Sequence, residues 1–520
     1  MSSIALWGAV IAGIVVLTPL ADRTRVPLPV LLTLFGLMLP LVPGTPHLSV
    51  DPDLILPLVL PPLLFAATQR STAREFRSQA TPILFLAVGL TIASAGVVAV
   101  LAHAAGIPWG PAWVLGAIVA PPDPVAATAV ARRLRLPGRI VTVLEGEGMF
   151  NDATALVLYH VAVAAVVTGE VSAGTIGLDL VLAVVVGIGV GLVGGWLGHR
   201  VLGRIHQAAA ETTVTIALPF AVYLVAEEIH GSGVLAVLTL GLLLRSVSHT
   251  SVTSAGWLLG RSVWEYADYL ITGVVFVLIG FELTYVIEHS PVASSTWAFA
   301  LGVVAALVAL RFLWMFPAVW ILRKISPGKG ASTFSNAETT VISWAGMRGV
   351  VSVASALALP VILDDGTDFP YRDTVVFVGL MVVLVTLVLQ GLTLAPLVKR
   401  LGVGDETDEA EEIAALRTRA TQAGLDSART RDDVPPLVRR AVVEQYEGRV
   451  ATQNARRSIR RGDAEELDEP HGETLAGLLR ETTEVERDVV IHARNHGEVS
   501  PEVADAVLNE IEARAVRDGD

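Results

Sequence analysis

Apolar stretches long enough to cross a membrane recur thirteen times along this chain, at about 4–20, 27–43, 53–69, 80–105, 111–131, 140–168, 172–198, 212–229, 232–247, 264–287, 294–322, 337–363 and 373–398. Each is bounded by charges, Pro/Gly clusters or Trp residues, and a hydrocarbon core of about 30 Å asks for about 20 such residues per helix. The expected fold class is therefore all-α integral membrane, because a helix satisfies its own backbone where no water can. Composition agrees: 53% of the 520 residues are hydrophobic and 17% charged, against about 25% charged in ordinary soluble domains. With no cysteine, there is no disulfide framework, thiolate metal site or thiol redox chemistry. Ile4–Leu20 lacks a basic leader and a small-residue cleavage site, so it is read as span 1 rather than a removable signal.

Charge orients these spans, because cytoplasmic loops hold the Lys and Arg. Loops after odd-numbered spans carry eighteen basic residues, from Arg23 and Arg25 to Lys399 and Arg400, whereas loops after even-numbered spans carry Arg372 alone. Thirteen spans follow, with the N-terminus outside and the tail in the cytoplasm of a cell-membrane protein. An odd count also allows two six-helix halves of opposite orientation, spans 1–6 and 8–13, joined by span 7. The fifth member of each half is then span 5 or span 12, and both are interrupted. Span 5 holds Ala120-Pro121-Pro122-Asp123-Pro124, and span 12 holds Gly346-Met347-Arg348-Gly349. Paired interruptions of this kind point to an ion site near the midplane.

Ionisable residues at bilayer depth cost about 2.5–3.5 kcal/mol each on insertion scales, so each needs a reason. Asp152 follows Asn151 and precedes a wholly non-basic apolar run in span 6. Burial disfavours a charged carboxylate and a bound cation restores it, so one such group can hold a proton or a cation in turn. Asp123 has two readings: an ion ligand among carbonyls freed by the prolines, or an N-cap for the second half of span 5. Glu147 and Arg348 are expected to form a buried neutralising pair. Arg311 is expected to find a carbonyl or carboxylate partner in a structural role, and His160 to be satisfied locally rather than to relay protons. Glu227, Glu228, Glu288 and His289 fall at outer ends, and Glu265, Asp268, Glu282 and Glu338 near helix ends. Most Trp residues, including Trp7, Trp109, Trp113, Trp196, Trp257 and Trp264, sit near span ends as interfacial anchors should.

Four stretches together resemble the monovalent cation:proton antiporter-1 family, the NhaP-type sodium/proton exchangers. They are Ala120-Pro121-Pro122-Asp123-Pro124-Val125, Gly146-Glu147-Gly148-Met149-Phe150-Asn151-Asp152-Ala153, Phe276-Val277-Leu278-Ile279-Gly280-Phe281-Glu282-Leu283, and Gly346-Met347-Arg348-Gly349. The resemblance implies a homodimer with a moving core beside dimerisation helices and elevator-type alternating access. It implies Asp152 as the exchanging carboxylate, Asn151 as its orienting neighbour, Asp123 as co-ligand, and Glu147 paired with Arg348. An Asn-Asp pair implies electroneutral exchange of one cation for one proton. The sequence departs from the family at Pro122, Gly148 and Ala66, where Thr, Ser and Glu are common; Pro122 still offers a carbonyl. Fewer side-chain oxygens favour an ion that is cheaper to dehydrate, so K+ stands beside Na+ as the expected partner of H+.

Residues 401–520 carry 28 acidic and 16 basic residues, a balance of −12 out of −13 for the whole chain. An acidic tail does not attract nucleic acid or anionic lipid. It reads as a soluble helical, regulatory or assembly domain, with an acidic start at 405–412, a helix around 437–460, a charged break at 461–469, and helices near 475–496 and 501–516. No GxGxxG fingerprint is present, no cofactor is implied, and no nucleophile–base or metal cluster of an enzyme stands out. The competing readings are a non-transporting cation or pH sensor, or an ion channel, on the same scaffold.

Overall fold

The computed structural model describes residues 3–24, 26–46, 52–69, 83–123, 127–128, 130–131, 134, 136–168, 173–289, 293–325, 334–363, 366–404, 409–431 and 433–461, with isolated positions beyond 484. The chain divides into two compact units, Met1–Gly404 and Asp405–Asp520. The first holds α1 (Ser3–Thr24), α2 (Leu28–Met38), α3 (Pro52–Thr68), α4 (Thr91–Ala104), α5 (Trp109–Val119), α6 (Gly138–Thr168) and α7 (Ala173–Leu202). These are followed by α8 (Ala208–Glu228), α9 (Gly233–Ser251), α10 (Ser254–His289), α11 (Ser294–Ile325), α12 (Asn336–Trp344), α13 (Val350–Leu357) and α14 (Arg372–Leu401). A π-helical segment, Phe85–Leu90, leads into α4. Among the described residues, the lone β contact is an isolated bridge between Ile362 and Asp368.

Among the described residues, eight helical stretches are long and apolar enough to cross a membrane: α1, the π segment with α4, α6, α7, α8, α10, α11 and α14. The apolar helices α2, α3, α5 and α9 are shorter. Many of the large apolar side chains on α1, α4 and α7 face outward, for example Val15, Val16, Val100, Val185 and Val193. Such a surface suits hydrocarbon and not water.

Several expected boundaries move, for identifiable reasons. Span 2 is helical only to Met38, because the chain then meets Pro40 and Pro43 and turns at Gly44, whose φ is +78°. Span 12 is broken where its glycines stand, stopping at Trp344 and restarting at Val350, but it ends at Leu357, ahead of Pro360, and not at 363. Trp264 is not an interfacial anchor; it is 6% exposed and packs 4.8 Å from Phe65. Glu338 sits in a capping box at the start of α12, its carboxylate accepting Ser335 N–H (2.7 Å) while Ser335 Oγ accepts Glu338 N–H (3.1 Å).

Close helix contacts rest on glycine. On α7, Gly187, Gly191 and Gly195 recur every fourth residue and face Ser232, Ala236 and Leu243 at the start and along the body of α9. This small-residue spacing lets two backbones approach in an apolar medium. On the α2–α10 interface, a side chain at Gly36 would strike the Val277 carbonyl and one at Gly280 the Thr33 carbonyl.

In the second unit, α15 (Glu409–Arg429) and α16 (Pro436–Arg461) pack antiparallel. Arg429 meets Glu447 at 2.6 Å, Gln453 Nε2 donates to Thr421 Oγ1 at 3.0 Å, and Tyr446 lies over Gly424. The charged break expected at 461–469 and the helices expected at 475–496 and 501–516 fall almost wholly outside the described residues.

Gly280→Leu is expected to push α10 off α2 and to cost at least the ~1–3 kcal/mol typical of overpacking. The readout is the thermal midpoint of the detergent-solubilised chain. Gly302→Ala, at a position with nothing within 4 Å, should leave that midpoint unchanged or slightly raised.

Candidate functional site

The prolines at 121 and 122 end α5 at Val119, and the glycines at 346 and 349 separate α12 from α13. A helix end leaves unpaired N–H or C=O groups, and here the two breaks supply each other's partners. Asp123 N–H donates to Met347 O at 2.6 Å, and Asp123 Oδ2 accepts from Val350 N–H at 3.2 Å. Arg348 Nε donates to Val119 O, the last residue of α5, at 3.0 Å, and Arg348 Nη1 to Gly346 O at 2.5 Å. The Arg348 amide is held by Thr386 Oγ1 on α14 at 3.1 Å. A carboxylate thus lies at the positive start of α13 and a guanidinium at the negative end of α5. Asp123 is a cap, as one reading of the sequence had it, but for the start of α13; residues 124–126 lie outside the described residues. A side chain at Gly349 would overlap the Asp123 carboxylate, so glycine is required for this contact.

The expected pair of Glu147 with Arg348 is not formed. Glu147 pairs instead with Arg311 of α11, through Nη1–Oε1 at 2.5 Å and Nη2–Oε2 at 2.8 Å, with both residues about 2% exposed. Arg311 Nε and Nη2 also donate to Ile342 O, near the C-terminal end of α12, at 3.2 Å each. The bidentate fork suits a planar guanidinium, and Arg311 ties α6, α11 and α12 together. Arg348 is satisfied by carbonyls. In a sequence both arginines are mid-span cations, and nothing local says which one reaches α6.

Asp123 and Asp152 line one cavity of about 80 Å³, with Gly148, Gly349 and Ser352 on its walls. At about 10–15 Å³ per water-sized sphere, it has room for a small ion and several waters. Asn151 is not among the cavity-lining residues: its Nδ2 donates to Pro122 O at 2.8 Å and so fastens α6 to the break after α5. Pro122 contributes that carbonyl to Asn151; Pro121, and not Pro122, lines the cavity. Ala66 is buried in the wall of a neighbouring cavity. His160 lines neither cavity and lies edge-on to Tyr159.

Five polar cavity residues escaped sequence reasoning: Thr128, Glu145, Asp268, Thr272 and Ser352. Glu145, Gly148 and Asp152, at i, i+3 and i+7, share one face of α6 and all line the cavity; that periodicity was legible. Asp268 and Thr272, at i and i+4 on α10, line it too. Ser352 carried no signal beyond its place after a glycine break.

A second cavity, of about 740 Å³, adjoins the first, and Thr128, Asp268 and Thr272 line both. Its walls include Gln69, Leu202, Glu211, Arg245, Arg261 and Glu265, all close to the basic loops that follow odd-numbered spans. Glu211 is buried, its Oε2 accepting from Thr253 N–H (3.2 Å) and Oγ1 (2.9 Å). Among the described residues, no group of three or more His, Cys, Asp and Glu is arranged to chelate a metal.

The family model described as "Sodium/hydrogen exchanger, transmembrane" matches residues 9–400. An uncharacterized Na+/H+ exchanger of Mycobacterium tuberculosis is 34% identical over 452 residues, covering 85% of this chain and 83% of that protein. The Na+/H+ antiporter ApNhaP of Aphanothece halophytica is 32% identical, over 78% of this chain and 76% of that one. A sodium, potassium, lithium and rubidium/H+ antiporter of Bacillus subtilis is 32% identical, over 70% of this chain and 56% of its own length. The fold is similar to that of the sodium proton antiporter MjNhaP1 from Methanocaldococcus jannaschii, at a TM-score of 0.59 and 19% identity, over 77% of this chain and 99% of that one.

A double-mutant cycle distinguishes the two arginines. Arg311→Met is expected to cost about 3–5 kcal/mol of stability by stranding Glu147, and Glu147→Gln in that background should recover much of it. Glu147→Gln and Arg348→Met should be close to additive, within about 0.5 kcal/mol. Equal coupling of Glu147 to both arginines in thermal unfolding would contradict the pairing.

Proposed function

Because this chain belongs to the sodium/hydrogen exchanger family, we propose that it exchanges a monovalent cation, Na+ or K+, for H+ across the cell membrane, with Asp152 holding proton or cation in competition. The observation that carries this reading is the shared chamber: Asp123 and Asp152 line it with Glu145 and Asp268, and it adjoins a wide vestibule. Four carboxylates at one small cavity focus a cation-attracting field. Asp152 has no ion pair with a basic side chain among the described residues, so its charge is open to neutralisation by H+ or by a metal cation. The name of the Bacillus subtilis relative includes both sodium and potassium, which supports a site that accepts either. K+ keeps its place because the positions of Pro122 and Gly148 offer no side-chain oxygen.

The rest of the reading follows from charge and from the paired breaks. Thirteen spans in two inverted halves, N-terminus outside and tail inside, put the basic loops and the vestibule on the cytoplasmic side. Alternating access then moves the chamber as a body, elevator-fashion, against the helices of a homodimer interface, and the Asn151-Asp152 pair gives electroneutral one-for-one exchange. Such exchange serves pH homeostasis. The acidic unit 405–520 acts as a regulatory element.

In everted vesicles, Na+ or K+ should collapse a preformed pH gradient, and Asp152→Asn should abolish this. A cation-independent leak, or full activity in the variant, would sink the reading. With pH gradients clamped, the rate should not respond to membrane potential. Topology is testable because the chain has no cysteine: Ala105→Cys should react with an impermeant maleimide in intact cells, and His206→Cys only after permeabilisation.

A further inference from the structure

Serine and threonine hydroxyls within helices usually bond back to a carbonyl one turn earlier, and this chain follows that habit. Thr33 donates to Pro29 O, Thr154 to Phe150 O, Ser343 to Thr339 O and Thr386 to Val382 O, at 2.7–2.9 Å. Ser352 does not. It is the third residue of α13, and the chain before Val350 is the extended break at Gly349, whose φ is −156°. No preceding helical turn exists to present a carbonyl. Ser352 is 2% exposed, and its Oγ has no hydrogen-bond partner among the described residues. A buried polar group without a partner is destabilising. Ser352 lines the same chamber as Asp123 and Asp152, in the first turn of the helix that Asp123 caps.

We propose that Ser352 Oγ is a direct ligand of the transported cation, a neutral oxygen opposite the Asp152 carboxylate in the chamber that the breaks at Asp123 and Gly349 form. This rests on the exchange reading and names a ligand for it. Alkali cations take hard oxygen ligands, and a hydroxyl replaces one water of the ion without adding charge. Pro122 and Gly148 bring no side-chain oxygen to this space; Ser352 Oγ replaces part of the hydration shell from the first turn of α13, while Thr272, whose Oγ1 is also without a partner among the described residues, lies where the chamber meets the vestibule.

The test combines binding with transport on the full-length chain. In detergent, the thermal midpoint of the wild type should rise with NaCl, KCl or LiCl relative to choline chloride. Ser352→Ala should remove an orphaned hydroxyl and so leave the choline midpoint unchanged or raised, while shrinking the cation-induced rise. In vesicles it should raise the apparent KM for the cation about tenfold, equivalent to about 1.4 kcal/mol, with the maximal rate within about twofold. Ser352→Thr should restore the wild-type KM. A hydroxyl with a merely structural role would instead lower the choline midpoint and leave KM alone, and that result overturns the assignment. So does a wild type that no alkali cation stabilises. If Asp152→Asn abolishes exchange while Ser352→Ala keeps the wild-type KM, the ligand assignment fails and the exchange reading stands. If cations stabilise the wild type through Ser352 but drive no proton flux, the ligand stands and the exchange reading fails.

Discussion

The reciprocal capping of two broken helices is the interaction on which the rest of this structure depends. Unpaired backbone groups are worth several kcal/mol each in a medium without water, so a break in mid-membrane survives only if something satisfies it. Here Arg348 donates to the carbonyl that ends α5, Asp123 accepts the amide that starts α13, and the Asp123 amide reaches Met347 O. Each break is the other's solvent. The same carboxylate also lines the chamber, so whatever occupies the chamber shares a group with the start of α13.

Around this crossing, Glu147 and Arg311 act as a frame. Glu147 and Asp152 are five residues apart, which at about 100° per residue turns them about 140° away from each other on α6. One face of α6 is locked by a buried fork to α11 and, through Ile342 O, to α12. The other presents Glu145, Gly148 and Asp152 to the chamber. Stripping one arginine from such a frame leaves a buried charge without compensation. The two faces thus differ: Glu147 is tied into a buried ion pair, whereas Glu145 and Asp152 line the chamber.

The chamber joins a wider vestibule. The vestibule is walled by helix ends next to the basic loops and meets the chamber at Thr128, Asp268 and Thr272. Buried polar atoms without protein partners concentrate here: Glu211 Oε1, Thr212 Oγ1, Trp264 Nε1 and Thr272 Oγ1 all belong to vestibule-lining residues. Polar atoms of that kind call for water, which fits a hydrated approach to Asp152 from the side of Arg245 and Arg261. Trp264, expected at the lipid interface, is drawn into this wall because α10 begins ten residues earlier than the apolar run does and continues as one helix through it.

Sequence alone determined the features that depend on one segment at a time. Runs of apolar residues, the asymmetry of Arg and Lys between loops, and the proline and glycine interruptions identify membrane helices, two breaks and the carboxylates Asp152 and Asp123. These follow from local chemistry, since hydropathy, missing amide donors and charge are properties of short stretches. Tertiary structure alone decided partnerships. It joined Glu147 to Arg311 and not Arg348, gave the Asp123 cap to α13, turned the Pro122 carbonyl toward Asn151, and left Ser352 without a carbonyl beside the chamber. Each of these spans dozens to hundreds of residues in the chain, and two arginines in two apolar helices are chemically alike until packing sets which carboxylate or carbonyl lies within reach.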